Sequence, residues 1–166
     1  MTTSSTLGAQ ALASPAPWSG PGLVRPATRR DRAPVRRIER ACLGGASWLF
    51  GLWHRTGWTD TWTLVAERDG DAVGYLIAYP MLWRGALEMY VGGMGVLPVY
   101  RHNGYASRLL RFTLDAHPRL WLHVRASNTA AIALYRKSGM IDAGRISGFY
   151  VNGDIAVVMA TAKMTL

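Results

Sequence analysis

At 166 residues, with 49% hydrophobic and 17% charged residues, the chain is long enough for one domain with a substantial core and too apolar to be disordered throughout. Its single cysteine, Cys42, excludes an internal disulfide framework, and no apolar run approaches the ~18 residues of a membrane helix. The net charge of +9 fits a polyanionic cofactor, an acidic surface or nucleic acid, and so narrows the partners without choosing among them.

Residues 1–22 are rich in Ser, Thr, Ala, Pro and Gly and read as a disordered leader in which Trp18 has no evident role; residues 23–166 then form the domain. The leader has no basic segment followed by a continuous apolar run, so no secretory signal is read there and a cytoplasmic location is expected. Residues 23–27 read as a first strand. Thr28-x-x-Asp31 then forms a capping box for a helix carrying Val35, Ile38 and Ala41/Cys42 on one face, closed by Gly44-Gly45. On that helix Cys42 reads as a small buried hydrophobe rather than a nucleophile. Seven arginines lie between Arg25 and Arg40, and they read as a solvated face in preference to a nucleic-acid site, because no basic motif interleaved with aromatics accompanies them.

Residues 46–58, with Trp48, Phe50, Trp53 and Trp58, read as a second helix or helical turn. Residues 62–67 and 72–81 are apolar, β-branched runs joined through Asp69-Gly70, a hairpin signal. Residues 86–96 form a fourth strand, and its Gly92, Gly93 and Gly95 predict distortion, a bulge or a close ligand approach. A helix from Gly104 stops at Ala116-His117, before Pro118. In the fifth strand, residues 120–125, Leu120, Leu122 and Val124 share one face and Trp121, His123 and Arg125 the other. Asn128 caps the next helix and Gly139 ends it. Residues 140–151 and 154–162 read as a closing hairpin with a type I′ turn at Asn152-Gly153. The order predicts an α/β fold, a mixed sheet with helices on both faces.

The stretch between the fourth strand and the following helix carries the clearest chemistry. Strand, small-residue turn and helix start form an anion cradle: the first N–H groups of a helix have no internal acceptor and carry partial positive charge. Gly104 lets an anion approach the backbone, and Arg101 and His102 supply side-chain donors.

Arg101-x-x-Gly104-x-Ala106 resembles the pyrophosphate loop of the GCN5-related N-acetyltransferases, with Ala106 where glycine is commoner. Val124-Arg125-x-Ser127-Asn128-x-x-Ala131-x-x-Leu134-Tyr135 is similar to the second half of that family's cofactor site, above all in its ribosomal-protein alanine N-acetyltransferase branch. The resemblance covers roughly residues 22–163. It implies a single-domain fold with about seven strands and about four helices, splayed between the fourth and fifth strands. It also implies acetyl-CoA as cofactor, held by the main chain of Met94, Gly95 and Val96, by Arg101, His102, Asn103, Gly104, Tyr105, Ala106 and Ser107, and by Asn128 and Tyr135.

The implied reaction is direct acetyl transfer to a primary amine in a ternary complex. It needs a neutral amine, a polarised carbonyl and a protonated leaving thiol. Tyr135 stands where the branch has its general acid. His123 replaces the branch's glutamate as candidate base, with Glu88 and Tyr90 on the neighbouring strand as rivals or water relays. Arg145-x-x-Gly148-Phe149-Tyr150 resembles the ending of protein N-terminal acetyltransferases, in which two tyrosines hold the peptide; Phe149 lacks the first hydroxyl and Tyr150 keeps the second. The tryptophan-rich segment, Trp53 included, is expected to border the acceptor. His54, His102, His117 and His123 show no metal-ligand spacing, so no metal is expected.

The acceptor that the resemblance implies is a protein or peptide N-terminus, with a small amine such as an amino acid derivative or antibiotic as the second reading. A non-catalytic acyl-CoA-binding domain is the third, and nucleic-acid binding ranks last. No membrane partner is expected, and a monomer or a homodimer fits equally.

Overall fold

The structure is a computed structural model that describes residues 23–43 and 61–164. Its strands are β1 (Leu23–Pro26), β2 (Trp62–Arg68), β3 (Asp71–Trp83), β4 (Ala86–Val96), β5 (Leu120–Arg125), β6 (Met140–Ile146) and β7 (Ala156–Thr161), and its helices are α1 (Arg32–Leu43), α2 (Tyr105–Ala116) and α3 (Thr129–Lys137). The leader, the Gly44-Gly45 stop, the segment 46–58 with Trp53, and with it the fourth helix, lie outside the described residues.

The expected capping box is present, yet it opens a short 3-10 turn, Arg29–Asp31, from which α1 continues. Asp31 is 3% exposed, and Arg25 on β1 grips both of its carboxylate oxygens at 2.9 Å while also bonding Glu67 on β2 at 2.7 Å. Burial works against ionisation of Asp31, but the bonds from Arg25 and Thr28 outweigh it and bring its pKa down to about 2. Breaking such a pair leaves a buried charge without its counter-ion. Asp31→Asn is therefore expected to cost about 3 kcal/mol of stability at neutral pH, read as a lower denaturation midpoint in urea. The folded-state pKa is depressed, so this contribution is present above the unfolded value near 3.9 and fades as pH falls towards 2.

The strands form one sheet in the order β1-β2-β3-β4-β5-β7-β6, antiparallel except for the parallel pair β4–β5. Apolar residues alternate across it, so both faces carry a core. On one side Val35 and Ile38 of α1 cover Val65, Tyr75 and Ile77. On the other, Leu109 and Leu110 of α2 and Ile132 and Tyr135 of α3 pack over Leu64, Leu76, Val91, Leu122 and Met159. The faces of β5 are as expected: Leu120, Leu122 and Val124 join this second core, and Trp121 packs with Tyr90 and Val158 on the α1 side.

Two turns differ from expectation. β3 runs past residue 81 to Trp83, because Arg84 (φ +48°) and Gly85 (φ +87°) make a second tight hairpin into β4. The closing hairpin is not a tight type I′ turn. Gly153 N–H bonds Tyr150 C=O at 2.8 Å, and of the turn residues only Gly153 has positive φ, so residues 147–155 form a longer loop. Asn152 is held there by its side chain: its Oδ1 accepts from Arg125 Nη1 at 2.7 Å and from the Asp154 N–H at 3.3 Å.

The feature that makes room for a ligand is the parting of β4 from β5. Pairing is confined to Met89–Leu120, Tyr90–Trp121 and Val91–Leu122, although β4 continues against β3 as far as Val96. The β3–β4 register shifts between Ile77 and Ala78, opposite Gly92, at the point where the parallel pairing ends. A bulge adds local twist, which turns the rest of β4 away from β5. Gly92 is the residue this requires: a Cβ there would lie 2.5 Å from the Tyr79 ring.

Candidate active site

One wall of the resulting wedge is the main chain of Gly92 to Val96, and its upper rim is the loop into α2. The Val96 carbonyl accepts from Cys42 Sγ at 3.3 Å and from Arg101 Nε at 3.2 Å. Of the three residues expected to face the cofactor arm, Val96 therefore has its carbonyl engaged by α1 and the loop. Arg101 folds back to brace the strand end, and Cys42 is half-buried beneath it.

The loop is shaped from within. Asn103 Nδ2 donates to the carbonyls of Tyr100 and Arg101 at 3.2 and 2.9 Å, so its side chain holds the turn. His102 (φ +63°) and Gly104 (φ +78°) take left-handed conformations, and the latter caps α2. The first helical bond runs from Arg108 N–H to Gly104 C=O, which leaves the N–H groups of Tyr105, Ala106 and Ser107 without a helical acceptor. This is the geometry of an anion cradle. Sequence reasoning missed Arg108. Its guanidinium bonds Asn103 C=O at 3.3 Å, lies 5.3 Å from the Tyr105 ring centre and comes back over Gly104, adding positive charge to the cradle. The signal was its position four residues after Gly104, one turn along the same face.

At the apex, where β4 and β5 separate, Tyr90 and His123 point to the same face. Tyr90 Oη and His123 Nδ1 are 3.1 Å apart. His123 also stacks on Phe149, with ring centres 4.2 Å apart and planes 28° from parallel. Burial lowers the His123 pKa below the ordinary 6.5, so the imidazole is neutral at pH 7. Burial raises that of Tyr90, with the neighbouring Tyr79 and Tyr150 hydroxyls adding to it, while the bond to His123 opposes the shift. Tyr79 itself is pushed up to about 12 by burial. The row is therefore uncharged near neutrality.

Tyr135 lies on α3, 7% exposed, with its pKa raised first by burial and then by Tyr150. Tyr150 comes from the 147–155 loop, so residues from β4, α3 and that loop converge on the wedge. Asn128 Oδ1 accepts the Ala131 N–H at 3.1 Å as the α3 cap, which leaves its Nδ2 as the group able to face a ligand. Glu88 is at the closed end of the wedge, bonded by Arg119 Nε at 2.7 Å. Arg119 in turn holds the Lys163 carbonyl at 2.7 Å, so Glu88 takes part in a tie between β4 and the 3-10 turn, Ala162–Met164, that follows β7. Asp154 is likewise engaged, by Arg125 at 3.1 Å. Among the described residues no group of His, Cys, Asp and Glu is placed to hold a metal, and no helix is long and apolar enough to cross a membrane.

Residues 34–140 match the acetyltransferase (GNAT) family. The chain is 32% identical to the N-terminal acetyltransferase A complex catalytic subunit ard1 of Schizosaccharomyces pombe, over 69% of this chain and 70% of that protein. It is 31% identical to an N-alpha-acetyltransferase of Sulfurisphaera tokodaii over 58% of this chain and 66% of that one, so the chain spans about two thirds of the length of these relatives. Its fold is similar to the crystal structure of the ribosomal-protein-S18-alanine N-acetyltransferase from Escherichia coli, with a TM-score of 0.72 and 25% identity over 83% of this chain and 91% of that chain.

Proposed function

The chain belongs to the acetyltransferase (GNAT) family, and from that premise we propose that it is an acetyl-CoA-dependent N-acetyltransferase acting on the N-terminal α-amine of a protein or peptide. The observation that carries the reading is the Tyr90–His123 pair, 3.1 Å apart, at the apex of a wedge whose rim is an open helix N-terminus. The cradle suits the cofactor's pyrophosphate: it offers free N–H groups at Tyr105, Ala106 and Ser107, a Cβ-free approach at Gly104, and the charge of Arg101 and Arg108. Acetyl-CoA, once bound, supplies the acetyl group as a reactive thioester.

His123 accepts the proton that the amine nitrogen gives up as it forms its bond to the acetyl carbon, with the Tyr90 hydroxyl holding the ring and relaying through water. Tyr135 gives its proton to the sulfur as the carbon–sulfur bond breaks. Met94, Gly95 and Asn128 Nδ2 are assigned to the cofactor arm, and Phe149 and Tyr150 to the acceptor. The base role goes to His123 rather than Glu88, whose carboxylate is occupied by Arg119. A neutral imidazole also matches an α-amine, ordinarily near pKa 7.7–8.0, far better than a lysine amine near 10.4. The relatives' own names point to N-termini as well.

The departure at Phe149, which removes one hydroxyl from the expected acceptor clamp, favours a second reading as a small-amine acetyltransferase. Thiol release from acetyl-CoA, measured against a panel of N-terminal peptides and a panel of small amines, decides between them. Turnover confined to peptides supports the first, turnover confined to small amines the second, and no turnover on either removes both.

A mutation tests the cradle. Gly104→Val places a β-branched residue at φ +78° and a side chain in the anion's path. The expected result is at least a roughly tenfold rise in the acetyl-CoA dissociation constant, read by calorimetry, with the fold intact by circular dichroism.

A further inference from the structure

On one face of β5, buried Trp121 and half-buried His123 and Arg125 form one row, and the 147–155 loop folds back over His123 and Arg125. Phe149 stacks on His123 with ring centres 4.2 Å apart, and the Arg125 guanidinium carbon is 4.0 Å from the centre of the Tyr150 ring. Arg125 Nη1 also bonds Asn152 Oδ1 at 2.7 Å and Asp154 Oδ2 at 3.1 Å. Asp154 is held further by Ser127 Oγ at 3.4 Å and Asn152 Nδ2 at 3.2 Å. Main chain joins the same two segments, since Ala126 N–H bonds Ile155 C=O at 2.9 Å. One guanidinium thus uses its edge to anchor the far side of the loop and its face to support the ring on the near side.

We propose that Arg125 is a positioning residue for the acceptor: with Asp154 it forms a latch that fixes the loop so that Tyr150 and Phe149 stand over the wedge. The inference rests on the acetyltransferase reading, because it treats Tyr150 as an acceptor contact. The latch adds to the β5–β7 pairing, which ends at Arg125–Ala156, a side-chain tie to the loop beyond it, and it needs the planar face of arginine. Lysine keeps the charge opposite Asp154 but has no planar face to lie on the Tyr150 ring while its head group holds Asn152 and Asp154. The effect is expected on the acceptor side, because the side-chain substitutions keep the main-chain bond from Asn128 N–H to Arg125 C=O. The cofactor cradle belongs to the β4–α2 loop and shares no hydrogen bond with Arg125, Asn152 or Asp154.

The test uses the full chain and the best amine found in the two panels. Arg125→Gln is expected to raise the acceptor KM about tenfold, through loss of a stacked cation and an ion pair, with a smaller change in kcat and an acetyl-CoA dissociation constant within twofold of wild type. Arg125→Lys is expected to recover less than half of that loss on a logarithmic scale. Asp154→Asn, a substitution in the half-exposed loop that spares the strand, is expected to shift KM in the same direction, and combining it with Arg125→Gln to add little. Hydrogen exchange of the 147–155 amides should quicken in each variant while that of β5 does not. An unchanged acceptor KM in Asp154→Asn and Arg125→Gln overturns the proposal, as does a parallel loss of acetyl-CoA affinity, which reports general damage. If Arg125→Gln does not fold, Asp154→Asn alone decides. Absence of turnover by the wild-type chain on every amine is a different failure and removes the acetyltransferase reading itself.

Discussion

Replacing Tyr135 with phenylalanine is expected to lower kcat by about 10²–10⁴-fold while leaving acetyl-CoA affinity close to wild type. The substitution removes one oxygen from a ring that is 7% exposed and packed in the core among residues of β4, β5 and α3, so the packing survives. The hydroxyl makes no hydrogen bond within the described residues, so its removal strands no partner. Burial, then the neighbouring Tyr150, holds the phenol above its ordinary pKa of 10, so it carries its proton at any pH at which the protein works. That is the state required of a group that must hand a proton to a departing thiolate. Without it the thiolate must leave unprotonated, and the loss falls on the chemical step. Single-turnover kinetics, with calorimetric titration of acetyl-CoA, separates the two effects. A kcat equal to wild type would strike Tyr135 from the mechanism.

The second large effect is expected at His123. Exchanging it for glutamine keeps a polar group opposite Tyr90 but removes the titrating nitrogen, and kcat/KM at pH 7 should fall about 10²-fold. The pH profile is the sharper readout. Because burial lowers the His123 pKa below 6.5, wild-type imidazole remains the free base as pH falls through neutrality and is protonated only further down. The acceptor α-amine, ordinarily near 7.7–8.0, is protonated first. Wild-type log kcat/KM should therefore decline with unit slope below the amine's pKa and steepen towards a slope of about two below that of His123. The glutamine variant should keep the unit slope throughout. If both proteins give the same profile, the proton leaves the amine by another route, through water or to Glu88 once Arg119 has released that carboxylate.

Much of this was legible along the chain because local chemistry sufficed. Asp69-Gly70 demanded a turn, the alternation of Leu120 to Arg125 assigned its two faces, and Asn128 and Gly139 bounded α3. Gly104 ahead of an amphipathic run announced the cradle. What escaped was set by partners distant in sequence. Nothing near Glu88 foretells Arg119, and nothing near Asn152-Gly153 shows that Arg125 will take the Asn152 side chain and open a longer loop in place of a tight turn. The stacking of Phe149 on His123 likewise joins residues on different elements. Arg101 was read as a donor to an anion, yet its Nε is turned onto Val96, a choice made by the strand end beside it.

The place of β7 in the sheet bears on how the protein is made. β5 enters the sheet beside only three residues of β4, and its longer partnership is with β7, which among the described residues is also the only strand paired with β6. Every residue of Ala156–Thr161 is buried. A chain emerging from the ribosome can thus close the β1–β4 half early from short-range hairpins, but the row bearing His123 and Arg125 has no lasting neighbour until the seventh strand has been synthesised. The half that would read the amine is assembled last, and a nascent chain cut short before residue 156 is left with two unpaired strand edges. Those edges are a template for aggregation and a mark for proteolysis, so quality control in the cell should be most sensitive to lesions in the final strand, whose Val158 lies directly beside His123.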